Sequence, residues 1–223
     1  VAKFANDGTL VAVFGDRGDG FTQFFGPQAI ATRGSELYVA DTVNNRIQRL
    51  TTDGDFLGPV GSKDEGSSLK AVLGIFVDKQ GNRWVTDVSD WKVKLFDKNN
   101  QLQHSWPGFE PAANEYNGPA GIVQDSQGSL FVANYGGNKL QRFVVNGDQL
   151  TFTGEWTESV GCSVDSTFNH PIAIAIDAAD NLYVVDQDNH RIHKLRANGQ
   201  TLECIVIWGG QGSGNGQFLV PVD

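Results

Sequence analysis

The chain has 223 residues, 27 of them glycine, and a formal net charge of −9 at pH 7. This length suits one large all-β domain, and the many glycines are typical of tight turns. An acidic chain repels phosphate backbones, so we expect no nucleic-acid partner. No segment approaches the ~20 consecutive apolar residues of a membrane-spanning helix, so we expect no membrane span.

Short segments of alternating apolar residues follow one another along the chain, separated by turns rich in Gly, Asn and Asp. Segments of about five residues are typical of strands and too short for stable helices. Complete units of four such segments are predicted at about residues 27–61, 69–106, 120–156 and 171–209. Residues 1–15 supply two further segments and residues 216–223 begin another, so we assign residues 1–223 to a single domain.

The spacing of the units indicates one architecture. The second segment of each unit ends at Asp41, Asp87, Asn134 or Asp186, at intervals of 46, 47 and 52 residues. Repeats of roughly 40–50 residues with several short strands each are typical of propeller blades. We therefore predict an all-β fold, a β-propeller of four-stranded antiparallel blades, with roughly five or six blades and an incomplete end blade.

The units resemble the NHL repeat, a family of β-propeller repeats. Asn189-His190-Arg191-Ile192 and Asn45-Arg46-Ile47 match the third-strand motif of that family, and Asp177 and Asp186 match its first and second strands. The resemblance implies a propeller over residues 27–209. It constrains function only weakly, because one scaffold carries many unrelated sites.

The acid that ends each second strand is interpreted as a structural residue. Such a carboxylate accepts hydrogen bonds from turn amides and pairs with a base at the start of the third strand. A metal or catalytic site needs unlike residues converging on one point, whereas a repeat distributes like residues around a ring. The structural assignment covers Asp41, Arg46, Asp87, Asn134, Asp186 and Arg191.

Connectors between blades and the turns between second and third strands are expected to share one face of the propeller. An acidic surface with aromatic side chains suits a cationic or sugar-like partner. The alternative is that these charges are merely solvated and keep a glycine-rich surface soluble. The candidate binding residues on this face are Trp91, Tyr135, His190, Asp64, Glu65, Glu110 and Glu115.

The histidines give little support to a metal enzyme. A related amidating lyase resembles this chain in its blades and holds zinc through three histidines near the channel. Here the corresponding first strands carry no histidine, and His170, the nearest, is a single ligand. We expect His190 and His193 at the surface or the rim. We therefore assign no catalytic residue, no metal ligand and no cofactor.

The two cysteines, Cys162 and Cys204, leave two alternatives open. They form either an extracellular disulfide that ties a connector to the outer strand of the fourth blade, or two inert thiols. A β-rich chain with few charges and one cysteine pair leads us to expect a secreted or extracellular protein.

Taken together, these features predict a non-enzymatic binding or assembly module whose connector loops contact a protein or carbohydrate partner. An incomplete blade also leaves an open strand edge, which favours self-association. The alternative function is that of a metal-dependent lyase or lactonase-like enzyme with its site in the propeller channel.

Overall fold

The computed structural model describes residues 1–61, 69–107, 118–147, 149–162 and 165–222. These residues form four four-stranded antiparallel sheets, each with its strands paired in chain order. We number these sheets blades 1 to 4. Their strands are β5 (Pro27–Arg33), β6 (Glu36–Asp41), β7 (Arg46–Thr51) and β8 (Phe56–Val60); β9 (Val72–Val77), β10 (Arg83–Asp87), β11 (Lys92–Phe96) and β12 (Leu102–Trp106); β13 (Pro119–Gln124), β14 (Ser129–Asn134), β15 (Lys139–Asn146) and β16 (Gln149–Trp156); and β17 (Pro171–Ile176), β18 (Asn181–Asp186), β19 (Arg191–Asn198) and β20 (Thr201–Gly209).

Two smaller sheets precede blade 1. Strands β1 (Ala2–Phe4) and β2 (Leu10–Val13) form an antiparallel hairpin, and β3 (Asp16–Arg17) and β4 (Gln23–Phe24) form a short parallel bridge within the connector that follows. A short 3-10 turn, Gln187–Asn189, joins β18 to β19. None of the helical segments in the described residues is long and apolar enough to span a membrane.

The second strands lie at the centre of the packing. In β6, β10, β14 and β18 nearly every residue is buried, and β10 and β14 pack against a neighbouring blade on each face. The apolar residues that alternate along the strands form three clusters between successive blades. Val85 lies between blades 1 and 2, Val132 between blades 2 and 3, and Val184 between blades 3 and 4. Apolar burial of this kind is the main stabilising term.

The first strands pack against one another in the order β5, β9, β13, β17. They surround a narrow axial cavity of about 60 Å³ whose lining includes Ile30, Ile75, Ile122 and Ile174, together with Val222. The blades are thus arranged as in a propeller, and the predicted fold class is confirmed.

The predicted number of blades is wrong for the described part of the chain, because four blades are complete. The β1–β2 hairpin supplies two more strands. Residues 216–222 form no strand, although Phe218 makes an isolated parallel bridge to Gln211. A strand needs a partner on at least one edge for its backbone hydrogen bonds, and the second strand that would pair with residues 219–222 is not present among the described residues.

Candidate binding site on the connector face

The turns between second and third strands lie on the same face as the connectors. In each blade, a turn amide donates to a carbonyl of the connector that enters that blade: Val43 to Phe25 (3.1 Å), Val88 to Ala71 (2.9 Å), Tyr135 to Gly118 (2.9 Å) and Gln187 to His170 (3.3 Å). We call this side of the propeller the connector face. It is the face on which the sequence places the candidate binding residues.

Asp41, at the end of β6, joins the connector to blade 1. Its carboxylate is fully buried and accepts hydrogen bonds from the Phe25 amide (2.7 Å), Arg46 Nε (2.8 Å) and Gln48 Nε2 (3.1 Å). Arg46 in turn donates to the carbonyls of Gly20 and Gln23 in the connector. The acid therefore fixes the loop that precedes its own blade, and its oxygens are used internally.

Asp186 makes the corresponding contacts in blade 4. It accepts hydrogen bonds from the Asn169 amide (2.6 Å), Asn189 Nδ2 (2.9 Å) and Arg191 Nε (2.9 Å), and His193 Nε2 lies 3.0 Å away. Burial acts to raise the pKa of Asp186, but these hydrogen bonds, led by that from His193, outweigh it and hold the pKa below its ordinary value.

The other two blades vary this arrangement. Asp87 accepts hydrogen bonds from the amides of Lys70 and Ala71 and from Lys94 Nζ, which is 2.7 Å away. In blade 3 the residue is Asn134, whose side chain donates to Gln141 Oε1 (3.0 Å) and accepts from the Gly137 amide (3.0 Å). The role of the position is thus kept where its charge is lost.

A buried partner lies seven residues after each of these positions and was not predicted from the sequence. It is Gln48, Lys94, Gln141 or His193, and all four side chains are buried. His193 was predicted at the surface or rim, and this is wrong because the residue is 0% exposed and its ring packs on Phe168. The constant spacing from the acid was the available signal, but the residue type changes from blade to blade.

Of the candidate binding residues, Asp64, Glu65, Glu110 and Glu115 lie outside the described residues. Trp91 and His190 occupy equivalent places, four residues after Asp87 and Asp186, and both have left-handed backbone conformations (φ 51° and 54°). Blades 1 and 3 carry Asn45 and Asn138 there, with φ 56° and 51°. Asparagine tolerates this conformation, whereas a bulky tryptophan rarely adopts it, so Trp91 stores some backbone strain.

Tyr135 lies in a cluster that spans blades 3 and 4. Its ring is 4.5 Å from the ring of His170, centroid to centroid, and His170 Nδ1 is 2.7 Å from Asp188 Oδ2. Tyr135 follows β14, His170 ends the connector before β17, and Asp188 lies in the turn after β18. We call these three residues the Tyr–His–Asp cluster. The sequence predicts Tyr135 as a binding residue, but it does not predict His170 and Asp188 as its neighbours.

The cluster is accessible and held in place. The side chains of His170 and Asp188 are 35% and 42% exposed. The His170 amide donates to Asn138 Oδ1 (2.8 Å), and the neighbouring Asn169 amide is held by Asp186. Burial, and then the negative charge of Asp188, raise the pKa of Tyr135, so its hydroxyl keeps its proton over a wide pH range.

The contact with Asp188 fixes the orientation of the His170 ring. A carboxylate only accepts hydrogen bonds, so Nδ1 donates to Asp188 and Nε2 is the ring nitrogen left for a partner. The cluster therefore presents an aromatic surface, a hydroxyl, an imidazole nitrogen and a carboxylate together.

The axial cavity differs from this cluster in size and chemistry. Its volume of about 60 Å³ is well below the few hundred Å³ of typical ligand pockets. Among the described residues, its lining consists of aliphatic side chains, glycines and Gln28, none of which is ionisable. Within the described ranges, no group of three or more His, Cys, Asp or Glu side chains is arranged to hold a metal ion.

Cys162 and Cys204 form a disulfide with a Cα–Cα distance of 5.5 Å. Beside it, the Val160 amide donates to Leu202 (2.9 Å) and the Cys204 amide donates to Val160 (2.7 Å). The connector before blade 4 is thus fixed along the outer strand of the same blade, on the side away from the axis.

Comparison with known proteins finds one matching repeat in blade 4 and several solved structures of similar fold. Residues 168–195, which contain β17 and β18, match the NHL repeat. A periplasmic gluconolactonase from Pseudomonas aeruginosa is similar over 100% of this chain and 64% of its own, with a TM-score of 0.65 and 14% identity. A virginiamycin B lyase from Staphylococcus aureus is similar over 93% of this chain and 68% of its own, with a TM-score of 0.61 and 17% identity.

A streptogramin B lyase is similar over 80% of this chain, with a TM-score of 0.59 and 18% identity. This chain spans 54% of that lyase's length. At these identities the likeness shows a shared fold. The described residues thus form a propeller arrangement of four four-stranded blades, and the fourth blade matches the NHL repeat over residues 168–195.

Proposed function

We propose that this propeller is a binding module that holds a protein or carbohydrate partner on its connector face, with the Tyr–His–Asp cluster at the centre of the contact. The observation that carries the proposal is the cluster itself: two rings 4.5 Å apart and a carboxylate 2.7 Å from one of them, all partly exposed. Aromatic faces bind sugars and cations, and carboxylates bind hydroxyls and basic groups.

The fixed position of the Tyr–His–Asp cluster supports this proposal. Both blades that meet at the cluster anchor it, blade 3 through Asn138 and blade 4 through Asp186. Groups already held in their bound geometry lose little conformational entropy when a partner binds. Loops of variable sequence on a rigid scaffold are the usual place for specificity in propellers.

Charge supports a cationic or hydroxyl-rich partner. The net charge is −9, and the exposed Asp165 lies in the connector that leads to His170. The hydrogen bonds that Thr167 donates hold the pKa of Asp165 below its usual range, so the residue stays ionised. Trp91, His190 and the acids Asp64, Glu65, Glu110 and Glu115 belong to the same proposed surface and remain predictions. An extracellular location fits such a role and also remains a prediction.

Arrays of glycans and of basic peptides test the proposal. We expect the wild-type protein to retain a small set of ligands, and Asp188→Asn and Tyr135→Ala to lose them at unchanged melting temperature. Asp180→Asn is the matched control, because Asp180 lies in the first turn of the same blade on the opposite face. Ligands retained equally by Asp188→Asn and Asp180→Asn would place the binding surface elsewhere.

A second candidate is an enzyme of the lyase or lactonase kind, and the His170–Asp188 contact favours it. A carboxylate that orients an imidazole is the usual device for making Nε2 a general base. Among the similar structures is a catalytically inactive histidine-to-alanine variant of virginiamycin B lyase with quinupristin. Incubation with quinupristin and with gluconolactone decides the matter: turnover lost in His170→Ala supports the enzyme, and no turnover by the wild type removes it.

A further inference from the structure

The first residue of β10, Arg83, is buried at a place where the other three blades bury a leucine. Four residues before the end of the second strand, blades 1, 3 and 4 carry Leu37, Leu130 and Leu182. These leucines are at most 5% exposed and belong to the apolar clusters, and Arg83 is 1% exposed. A buried charge costs far more than a buried leucine unless it has partners, so this exchange requires compensation.

The protein supplies only part of the compensation for Arg83. Nη1 donates to the Gly81 carbonyl (2.8 Å), and the guanidinium lies over the Tyr38 ring, 5.4 Å from its centroid. Nε and Nη2 are buried and have no hydrogen-bond partner among the described residues. These two nitrogens form one edge of the guanidinium, and their parallel N–H groups match two oxygens of a single oxyanion.

A second arginine lies on the facing side of blade 1. Arg49 is opposite Tyr38 in the pairing of β6 with β7, so its side chain is on the face of blade 1 that meets Arg83. The Nε atom of Arg49 is also buried and has no partner in the described part of the chain. Burial, and then the positive charge of Arg49, lower the pKa of Arg83, so the two cations are close enough to repel each other.

The two carboxylates whose charge acts on Arg83 are bonded to other groups. Glu36 Oε2 accepts a hydrogen bond from the Tyr38 hydroxyl (2.5 Å). Asp97 Oδ1 accepts hydrogen bonds from two amides of its own turn (2.8 and 2.9 Å). Within the described ranges, the unpartnered edge of Arg83 is therefore not neutralised by the protein.

Blade 3 shows that an arginine in the place of Arg49 can be satisfied by the protein. Arg142 lies eight residues after the end of the second strand, as Arg49 does in blade 1. Its Nε donates to Thr153 Oγ1 (3.1 Å) and its Nη1 donates to the Gly199 carbonyl (3.0 Å). The unpartnered arginine pair is thus a feature of the boundary between blades 1 and 2, and the repeat does not require it.

We propose that Arg83 and Arg49 bind a small tetrahedral oxyanion, sulfate or phosphate, at the boundary of blades 1 and 2. Arg83 holds the ion with its Nε–Nη2 edge, and Arg49 donates to the same ion from Nε. Because the unpartnered nitrogens are buried, the site takes the free ion and excludes an oxyanion group carried by a larger molecule. Arg33, which is exposed and donates to the Lys79 carbonyl in the turn before β10 (3.0 Å), adds a further positive charge at this end of the blades. The site is separate from the Tyr–His–Asp cluster, and either proposal can fail without the other.

Equilibrium dialysis with radiolabelled sulfate, and separately with radiolabelled phosphate, tests the proposal at an ionic strength held constant with chloride. We expect saturable binding of one ion per chain. Arg83→Leu gives blade 2 the leucine of the other blades, so it should fold and bind the ion roughly tenfold or more weakly, because two charge-assisted hydrogen bonds are lost. Arg49→Met should also weaken binding, and Arg142→Met is the matched control that should leave it unchanged.

Melting temperatures in chloride show whether each variant folds. If Arg83→Leu unfolds, the comparison of Arg49→Met with Arg142→Met still tests the site. No saturable binding of either ion by the wild type, or equal binding by Arg49→Met and Arg142→Met, overturns the proposal. Phosphoserine that competes as well as free phosphate would overturn the assignment to the free ion.

Discussion

Blades 3 and 4 have the same strand order and nearly the same register, yet their anchoring residues differ in charge. In blade 4, Asp186 faces Arg191 and His193. In blade 3, Asn134 faces Gln141, and the base at the start of the third strand, Lys139, turns outward to Glu155 at 3.1 Å. The position needs a hydrogen-bond acceptor for a nearby amide, and an ion pair is one of two ways to build it.

The two blades contribute different residues to the Tyr–His–Asp cluster. The neutral blade contributes the aromatic ring of Tyr135, and the ionic blade contributes His170 and Asp188. The residue before the first strand of blade 3 is Gly118, where a Cβ would approach the Val88 side chain to 2.5 Å. The equivalent place in blade 4 admits His170, and this one exchange creates a polar group at the boundary between blades.

Removal of the carboxylate from blade 4 is expected to have the largest effect. Asp186→Ala leaves Arg191 and His193 without their partner in a buried site, and such losses cost about 3–5 kcal/mol. Urea denaturation measures the free energy of unfolding. A loss below about 1 kcal/mol would show that the blade does not depend on its ionic anchor.

The disulfide is a further difference between blades 3 and 4, because it fixes the outer edge of blade 4. The paired change Cys162→Ser and Cys204→Ser is expected to lower the free energy of unfolding by about 2–4 kcal/mol, since it frees a loop of 42 residues in the unfolded chain. Wild-type protein under reducing conditions should match the double variant. Unchanged stability in both would contradict a structural role.

Asn134→Ala is the matched change in blade 3. It leaves the buried Gln141 side chain and the Gly137 amide without their partner, and we expect a loss of about 1–3 kcal/mol. The same denaturation measurement compares it with Asp186→Ala. An equal or larger loss in blade 3 would reverse the ranking of neutral and ionic anchors.

Acid is expected to lower the free energy of unfolding through blade 4. We expect this effect to be smaller than those of the three substitutions above. The pKa of Asp186 is lowered in the folded state, so its contribution is present above the unfolded value near 3.9 and is lost as the pH falls through the folded value. Hydrogen bonds from the Asn181 side chain and amide lower the pKa of Asp177 to about 2. The acid range over which blade 4 loses stability therefore extends down to about pH 2. Stability should therefore fall as the pH drops from about 4 toward 2, because the unfolded chain takes up protons there that the folded chain does not.

Asp186→Asn gives the control for this pH dependence. The variant should show a flatter decline of stability over the same range, because it no longer takes up a proton at this site on unfolding. Parallel curves for the variant and the wild type would mean that other groups set the acid sensitivity.

The fold could be predicted because it depends on periodic signals. Alternation within strands and the repeat of Asp41, Asp87, Asn134 and Asp186 recur in every blade, so each unit supports the next. The blade count could not be predicted in the same way. Residues 216–222 carry a connector motif, but whether such a segment forms a strand depends on the presence of a neighbouring strand.

The site depends on contacts between residues that are distant in the sequence. Tyr135 was predicted from its place in a turn, but its neighbours His170 and Asp188 come from a connector and from the next blade. His193 was predicted at the surface or rim because it falls in the third-strand motif. Strand pairing places it opposite Val184 in the interior, where Asp186 lies within hydrogen-bond distance.

The proposed function is tested most directly by calorimetric titration of an array-selected glycan or basic peptide into wild-type protein and into Tyr135→Ala. Loss of an aromatic contact worth about 0.5–2 kcal/mol should raise Kd by roughly two- to thirtyfold at unchanged melting temperature. An unchanged Kd in Tyr135→Ala, with Asp188→Asn equally unaffected, would contradict a binding site at the boundary of blades 3 and 4.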